Sequence, residues 1–290
     1  MTAKTLTGLH PAFRDDIGDL VTRRPVPGSG LERAGAFLFL NHHGPQTYRP
    51  GNRGLPFGPH PHRGFETVTF ILDGDLAHRD SAGHESIIHA GGVQWMTAGS
   101  GLVHAEVSPQ DFMRRGGPLE LLQLWVNLPS RLKMTAPRYL GLQKDAIPAF
   151  PTPDGKAEVD LISGDWNGHT GPFPSLTGVM LATVRLKAGG EAAFEGLNAR
   201  DVLLYVVRGA ITVGGKAVPE HHLATFSAEG DSLEMTATAD AVVLFGHAEP
   251  INEPVVSHGP FVMNTVEEIR QAIADYNAGK FEAAVVQGAG

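Results

Sequence analysis

The sequence predicts an all-β protein made of two domains, with one short helix near the C-terminus. Its 290 residues include 36 glycines and 21 prolines, which punctuate short runs rich in β-branched and aromatic residues. A proline-rich stretch, Phe150-Pro-Thr-Pro-Asp-Gly155, interrupts this pattern in the middle of the chain. A segment of the first half also recurs in the second half. Together these observations favour two sandwiches or barrels in succession.

Short apolar runs between turn residues predict the strands. In the first half the predicted strands are Ala36–Asn41, Glu66–Leu72, Ser86–His89, Val93–Met96, Leu102–Val107 and Leu119–Asn127. In the second half they are Glu158–Ile162, Gly178–Leu186, Val202–Val207, Ala210–Val213, Leu223–Phe226 and Ala241–Gly246.

The internal repeat supports the division into two domains. Residues 66–76 align on residues 201–211 without a gap, at an offset of 135. Each copy consists of an apolar strand, a Gly turn and the start of another strand. The same register places Glu195 opposite His60 and Leu197 opposite His62. We therefore predict domains at 1–147 and 148–290, with a metal site in the first alone.

A helix is predicted close to the end of the chain. Thr265-Val-Glu-Glu268 has the spacing of a capping box, and Gly279 is expected to end the helix. The residues that fall on one apolar face are Val266, Ile269, Ile273 and Tyr276. We expect this face to pack on a β domain, without a catalytic role.

The composition excludes several classes of protein. Hydrophobic residues make up 42% of the chain and charged residues 19%, which is typical of a globular protein with a sizeable core. The absence of cysteine excludes disulfides, iron–sulfur clusters and thiol nucleophiles, so a metal site must use His, Asp or Glu. No phosphate-binding glycine loop and no G-x-S-x-G motif is present.

The charge and the apolar pattern limit the partners that we expect. The formal net charge is −8, and basic residues do not cluster beyond pairs, which argues against direct binding of nucleic acid or an anionic membrane. The chain lacks an apolar signal-peptide core at its start and a run of 18 apolar residues. From this we expect a cytoplasmic protein. We also expect a monomer, because two barrels in one chain can cover each other's sheet edges.

Two short histidine motifs suggest a metal site. His60-Pro-His62 is followed by His104-Ala-Glu106, and residues two apart on an extended strand point to the same face. Three imidazoles and one carboxylate suit a divalent metal and leave positions open on an ion that takes five or six ligands. Glu66 shares strand parity with His60 and His62, so it is a second candidate oxygen. Three roles remain open for it: a ligand, a partner of a ligand imidazole, or a solvated strand residue.

Seven further histidines lack a partner at ligand spacing, so we expect them to be ordinary hydrogen-bonding residues. They are His42, His43, His78, His84, His89, His221 and His222.

The sequence around the histidine motifs resembles the pirin family of the cupin superfamily. His60-Pro-His-Arg-Gly-Phe-Glu-Thr-Val68 and Gln94-Trp-Met-Thr-Ala-Gly-Ser-Gly-Leu-Val-His-Ala-Glu106 carry the resemblance. Leu124-Trp-Val-Asn-Leu-Pro129 and Glu253-Pro-Val-Val-Ser-His-Gly-Pro-Phe-Val-Met-Asn-Thr265 also resemble pirin signatures, so nearly the whole chain is covered.

The resemblance implies a bicupin, in which two β-barrels of jelly-roll type are stacked and the N-terminal barrel holds one metal ion. The implied ligands are His60, His62, His104 and Glu106, which leaves Glu66 behind the ligands. The implied metal is Fe(II), and Mn, Ni, Cu or Zn are alternatives with the same ligand chemistry.

Some pirin-like proteins are similar to quercetin 2,3-dioxygenases, which open the heterocycle of flavonols with O2 and release carbon monoxide. The first hypothesis is such an oxidoreductase, with a small aromatic substrate and Glu106 as the catalytic base. The alternative is a non-enzymatic pirin whose metal oxidation state controls binding of a protein partner. A cupin isomerase or storage protein ranks last. It would need a basic patch that binds substrate at the site, and only Arg63 and Arg79 lie near the site in sequence.

Overall fold

The structure is a computed structural model that describes residues 2–28 and 30–283. In chain order, the strands of the first part are β1 (Leu6–Pro11), β2 (Phe13–Arg14), β3 (Thr22–Val26), β4 (Phe37–Tyr48), β5 (Phe57–His62), β6 (Phe65–Asp73), β7 (Asp75–Asp80), β8 (Glu85–His89), β9 (Val93–Thr97), β10 (Leu102–Val107), β11 (Gly117–Asn127) and β12 (Arg138–Leu142). The short helix α1 (Gln110–Arg115) lies between β10 and β11, and single 3-10 turns cover Ser130–Leu132 and Lys144–Ala146.

The strands of the second part are β13 (Ala149–Pro151), β14 (Ala157–Ser163), β15 (Asp165–Trp166), β16 (His169–Thr170), β17 (Met180–Leu186), β18 (Glu191–Glu195), β19 (Asp201–Arg208), β20 (Ile211–Val213), β21 (Lys216–Val218), β22 (His222–Phe226), β23 (Ser232–Ala237), β24 (Ala241–Ala248), β25 (Val256–His258) and β26 (Phe261–Met263). The helices α2 (Val266–Asn277) and α3 (Lys280–Ala283) follow. Each predicted strand overlaps an observed one, and the all-β fold class with a C-terminal helix is confirmed.

The described strands form two seven-stranded sheets, two four-stranded sheets and the two-stranded pairs β15-β16 and β25-β26. The larger sheets have the orders β12-β9-β6-β11-β4-β3-β2 and β1-β22-β19-β24-β17-β14-β13. The smaller sheets have the orders β5-β10-β7-β8 and β18-β23-β20-β21. The two strands aligned by the repeat, β6 and β19, occupy equivalent positions in these orders, so the repeat is visible in the topology.

The chain divides into two compact units that are not continuous in sequence. One unit contains Met1–Arg14, Arg23–Asn41 and Asp145–Pro250, and the other contains Asp15–Thr22, His42–Lys144 and Ile251–Gly290. The predicted boundary between 147 and 148 lies close to the crossing after Lys144. The N-terminal segment belongs to the unit that contains most of the second half, and the C-terminal segment belongs to the unit that contains most of the first half. Residues 284–290 of the predicted second domain lie outside the described residues.

The interior of the second barrel is filled with apolar side chains. Leu197, Phe194, Met235 and Phe245 belong to one cluster of buried residues, and each is 2% exposed or less. These residues pack as a hydrophobic core rather than as a polar cavity. Glu195, which aligns with His60, is exposed.

The predicted helix is present with the predicted cap. Thr265 accepts a hydrogen bond from the Glu268 amide, and the Glu268 side chain accepts one from the Thr265 amide. The apolar face differs from the prediction at both ends, because Ile269 is buried whereas Val266 and Tyr276 are exposed. None of the described helices has the length and apolar character needed to span a membrane.

Candidate metal centre

Three of the four predicted ligands lie together on two neighbouring strands. His60 and His62 are at the end of β5, and His104 on β10 is directly opposite His60 in the antiparallel pair. One ring nitrogen from each histidine lies within 4.8 Å of the corresponding nitrogens of the other two. This spacing allows one divalent ion to contact all three imidazoles.

Burial keeps two of the imidazoles neutral. His62 is 3% exposed and His104 1% exposed. Burial, together with the neighbouring His60, lowers the pKa of His62 to about 3, and burial lowers the pKa of His104 well below its usual range. Both residues therefore offer lone pairs at neutral pH, as a metal ligand must.

Two of the rings are oriented by backbone carbonyl groups. His60 donates from Nδ1 to the carbonyl oxygen of Gly58 at 2.7 Å, and His62 donates from Nδ1 to that of Pro260 at 3.4 Å. A proton on Nδ1 leaves the lone pair on Nε2, so these tautomers present Nε2 to a ligand.

His104 is the strongest indication that the group fits a metal ion. Neither of its ring nitrogens has a hydrogen-bond partner among the described residues, although both atoms are buried. A buried polar atom without a partner is costly, and a divalent metal would satisfy one of these nitrogens. The donor set therefore fits a divalent ion with imidazole ligands.

Glu106 lies on the same face of β10 as His104. Among the described residues, the cluster of possible metal ligands consists of the three histidines and does not include this carboxylate. Its carboxylate is 2% exposed and accepts a hydrogen bond from Thr69 Oγ1 at 2.8 Å. The amides of Gln94 and Gln123 donate to the same carboxylate, one to each oxygen. Three neutral donors thus hold this buried carboxylate in place.

These three donors form a row across the larger sheet. Thr69 on β6 is directly opposite Gln94 on β9 and Gln123 on β11. Directly opposed residues point to the same face of a sheet, so the row faces Glu106 as a unit. The sequence analysis missed this row, because polar residues on separate strands give no local signal.

Glu66 does not lie beside the histidines, which corrects the expectation that it sits behind the ligands. Thr69 faces Glu106, and Glu66 is three positions earlier on β6, so its side chain points to the opposite face. The parity count failed because β5 ends at His62 and a turn at Gly64, with φ of 89°, precedes β6. Glu66 instead accepts a hydrogen bond from Thr97 at 2.6 Å.

Aromatic side chains adjoin the histidines. The ring centroids of Phe65 and Trp125 lie 5.0 and 5.3 Å from that of His62. His78, whose ring centroid is 5.4 Å from that of His104, stacks on Tyr139 at 4.0 Å. Aromatic side chains therefore form part of the surroundings of His62 and His104.

Several of the remaining histidines contact carboxylates, as ordinary hydrogen-bonding residues do. His42 contacts Glu120 at 2.8 Å, and His89 contacts Asp75 at 2.7 Å. His78 and His84 share Asp80, at 3.1 and 3.0 Å. His78 lies closer to the metal centre than its sequence context indicated.

Comparisons with known proteins agree with this fold. The pirin family model matches residues 19–126, and the model of the pirin C-terminal cupin domain matches residues 181–282. A pirin-like protein of Caulobacter vibrioides is 42% identical over 227 residues, which cover 78% of this chain and 80% of that protein.

Solved structures give the same result. The crystal structure of a quercetin 2,3-dioxygenase from Acinetobacter baumannii superposes with a TM-score of 0.91 and 33% identity, over 96% of this chain and 98% of that one. The protein is thus a bicupin with a cluster of three histidines in one unit. More narrowly, the chain belongs to the pirin family.

Proposed function

We propose that this pirin is a metal-dependent dioxygenase that opens flavonol-like aromatic substrates with O2, as a quercetin 2,3-dioxygenase does. The observation that carries the proposal is the pairing of three converging imidazoles with a buried carboxylate held by neutral donors. The similarity to the Acinetobacter baumannii quercetin 2,3-dioxygenase supports the same reaction class.

The three histidines would hold the metal. His60 and His62 would contribute Nε2, because their Nδ1 atoms donate to carbonyl groups. His104 would contribute one of its two unpartnered nitrogens. Fe(II) is our first choice of metal because the family resemblance implies iron, and Mn, Ni, Cu and Zn are alternatives for the same ligands. A bound ion would polarise a substrate oxygen and carry electrons between the substrate and O2.

Glu106 would act as the general base. Its carboxylate would accept the proton of the flavonol 3-hydroxyl group, which makes the ring electron-rich and open to O2. Thr69, Gln94 and Gln123 would keep the carboxylate in place by donating to its oxygens. We also propose Glu106 as the fourth metal ligand, because the family resemblance implies a ligand at this position. It would act as the base either bound to the metal or detached from it.

Aerobic incubation of iron-loaded protein with quercetin tests the proposal. We expect loss of flavonol absorbance and release of carbon monoxide with the wild type, and a loss of at least about 100-fold in rate in Glu106→Gln. His62→Ala should be inactive because it loses a proposed ligand. His89→Ala is the matched control, since this imidazole pairs with Asp75 at the surface. No turnover by the wild type, or equal turnover by wild type and His62→Ala, would refute the proposal.

A further inference from the structure

The C-terminal segment, residues 251–283, belongs to the unit that carries the histidines. It runs beside the turn that follows His62, where the Arg63 amide donates to Pro260 O at 3.4 Å and the Val262 amide donates to Arg63 O at 3.1 Å. Arg63 and Phe261 form a parallel bridge at this point. The end of the chain is therefore joined by backbone hydrogen bonds to the residue next to a proposed ligand.

The same segment supplies the hydrogen-bond acceptor for His62. The Pro260 carbonyl accepts from His62 Nδ1 at 3.4 Å, across 198 residues of sequence. Such an acceptor fixes which ring nitrogen carries the proton and how the ring is turned. The tautomer that exposes Nε2 thus depends on where the C-terminal segment lies.

A buried lysine ties the segment in place. Lys133 is 1% exposed, and its Nζ donates to Gly64 O at 2.8 Å, to Val262 O at 3.1 Å and to Asn127 Oδ1 at 2.8 Å. One ammonium group therefore joins the turn after His62 to the C-terminal segment. Gly64 fits this close approach because a Cβ there would lie 2.0 Å from the Val262 carbonyl oxygen.

A buried ion pair forms a second connection between the turn after His62 and the C-terminal segment. Arg63 Nη1 lies 2.8 Å from Asp275 Oδ2 on α2, with side chains 6% and 11% exposed. Arg63 Nε also donates to Ser100 O at 2.7 Å, in the turn before the strand of His104, and its guanidinium carbon lies 4.6 Å from the Phe281 ring centroid. Arg63 thereby links both ligand-bearing strands to the last helices.

We propose that the C-terminal segment increases the metal affinity of the three-histidine site. Asp275 and Lys133 are the positioning residues that hold the Pro260 carbonyl against the His62 ring. The inference rests on the proposed function only in taking the histidines as metal ligands. It assigns to the end of the chain a role in metal affinity, beyond the stability that any packed segment provides.

The test compares Asp275→Asn and Lys133→Met with Glu267→Gln. Glu267 is an exposed carboxylate on the same helix, 76% exposed and 3.2 Å from Arg270, so its removal controls for the loss of a helix charge. Dissociation constants for Co(II) and Zn(II) are measured by chelator competition, and the visible spectrum of bound Co(II) reports ligand geometry. Urea unfolding of the metal-free proteins gives the folded fraction.

We expect about tenfold weaker metal binding and an altered Co(II) spectrum in Asp275→Asn and Lys133→Met, since partners of ligand histidines typically contribute at least that much to affinity. Glu267→Gln should match the wild type. Equal affinities in all four fully folded proteins would overturn the inference, as would a loss explained by the unfolded fraction alone.

Nitrogen-15 NMR of the His62 ring in metal-free protein separates this inference from the metal proposal. The wild type should show Nδ1–H, and both variants should gain Nε2–H. If the wild type binds no metal but the two variants gain Nε2–H, the metal centre is refuted and the positioning role is supported. An unchanged tautomer in folded variants would refute the positioning role itself.

Discussion

Replacing Glu66 by glutamine tests the assignment of the two buried carboxylates. Glu66 is 1% exposed, and burial raises its pKa to about 7, although the hydroxyl of Thr97 acts in the opposite direction. The site geometry places it on the face of β6 opposite to Thr69 and Glu106. Glu66→Gln should therefore leave metal binding unchanged while altering stability.

The sign and size of the stability effect follow from the two pKa values. An exposed glutamate in the unfolded chain ionises near pH 4.5, whereas folded Glu66 stays protonated up to about pH 7. The unfolded chain thus releases this proton first, and stability falls as pH rises from about 4.5 to about 7. At 1.36 kcal/mol for each pKa unit, the loss is about 3 kcal/mol above pH 7.

Urea unfolding of the metal-free protein at pH 5 and pH 8 measures this difference. Glutamine is never charged, so Glu66→Gln should be more stable than the wild type at pH 8 by about 3 kcal/mol, and close to it at pH 5. Glu234→Gln, at an exposed glutamate, should follow the wild type. An equal pH dependence in wild type and Glu66→Gln, or loss of metal from Glu66→Gln, would refute the reasoning.

Two further substitutions test the packing around the site and in the second barrel. Gly64→Ala places a Cβ 2.0 Å from Val262 O at a φ of +89°, so we expect a loss of at least about 2 kcal/mol in unfolding free energy. Gly196→Ala, at a φ of +73° with open space around it, isolates the backbone effect and should cost less. Phe245→Ala removes a buried ring that stacks on Phe194 at 3.8 Å, and should cost about 3–5 kcal/mol without changing metal content. Comparable losses in both glycine variants, or metal loss in Phe245→Ala, would contradict these expectations.

The features that the sequence revealed are those with a local or periodic signal. Strands such as Val202–Val207 are continuous apolar runs, and they form because such runs bury both faces of a strand. The spacing of His60, His62 and His104 was informative because strand alternation fixes side-chain direction over two residues.

The features that the sequence did not reveal depend on long-range register. Thr69, Gln94 and Gln123 meet at Glu106 only after three strands align. Glu66 was expected behind the ligands, but the turn at Gly64 reverses the face of the sheet to which its side chain points. The return of the C-terminal segment to the first histidine pair has no local signature, since its key contact, from His62 to Pro260, joins residues 198 positions apart.

The metal content of purified, iron-reconstituted protein tests the central claim most directly. Elemental analysis after removal of free metal should give one iron per chain for the wild type. His104→Ala should give nearly none, because one of three converging imidazoles is lost. Equal metal content in wild type and His104→Ala would contradict the assignment of this site.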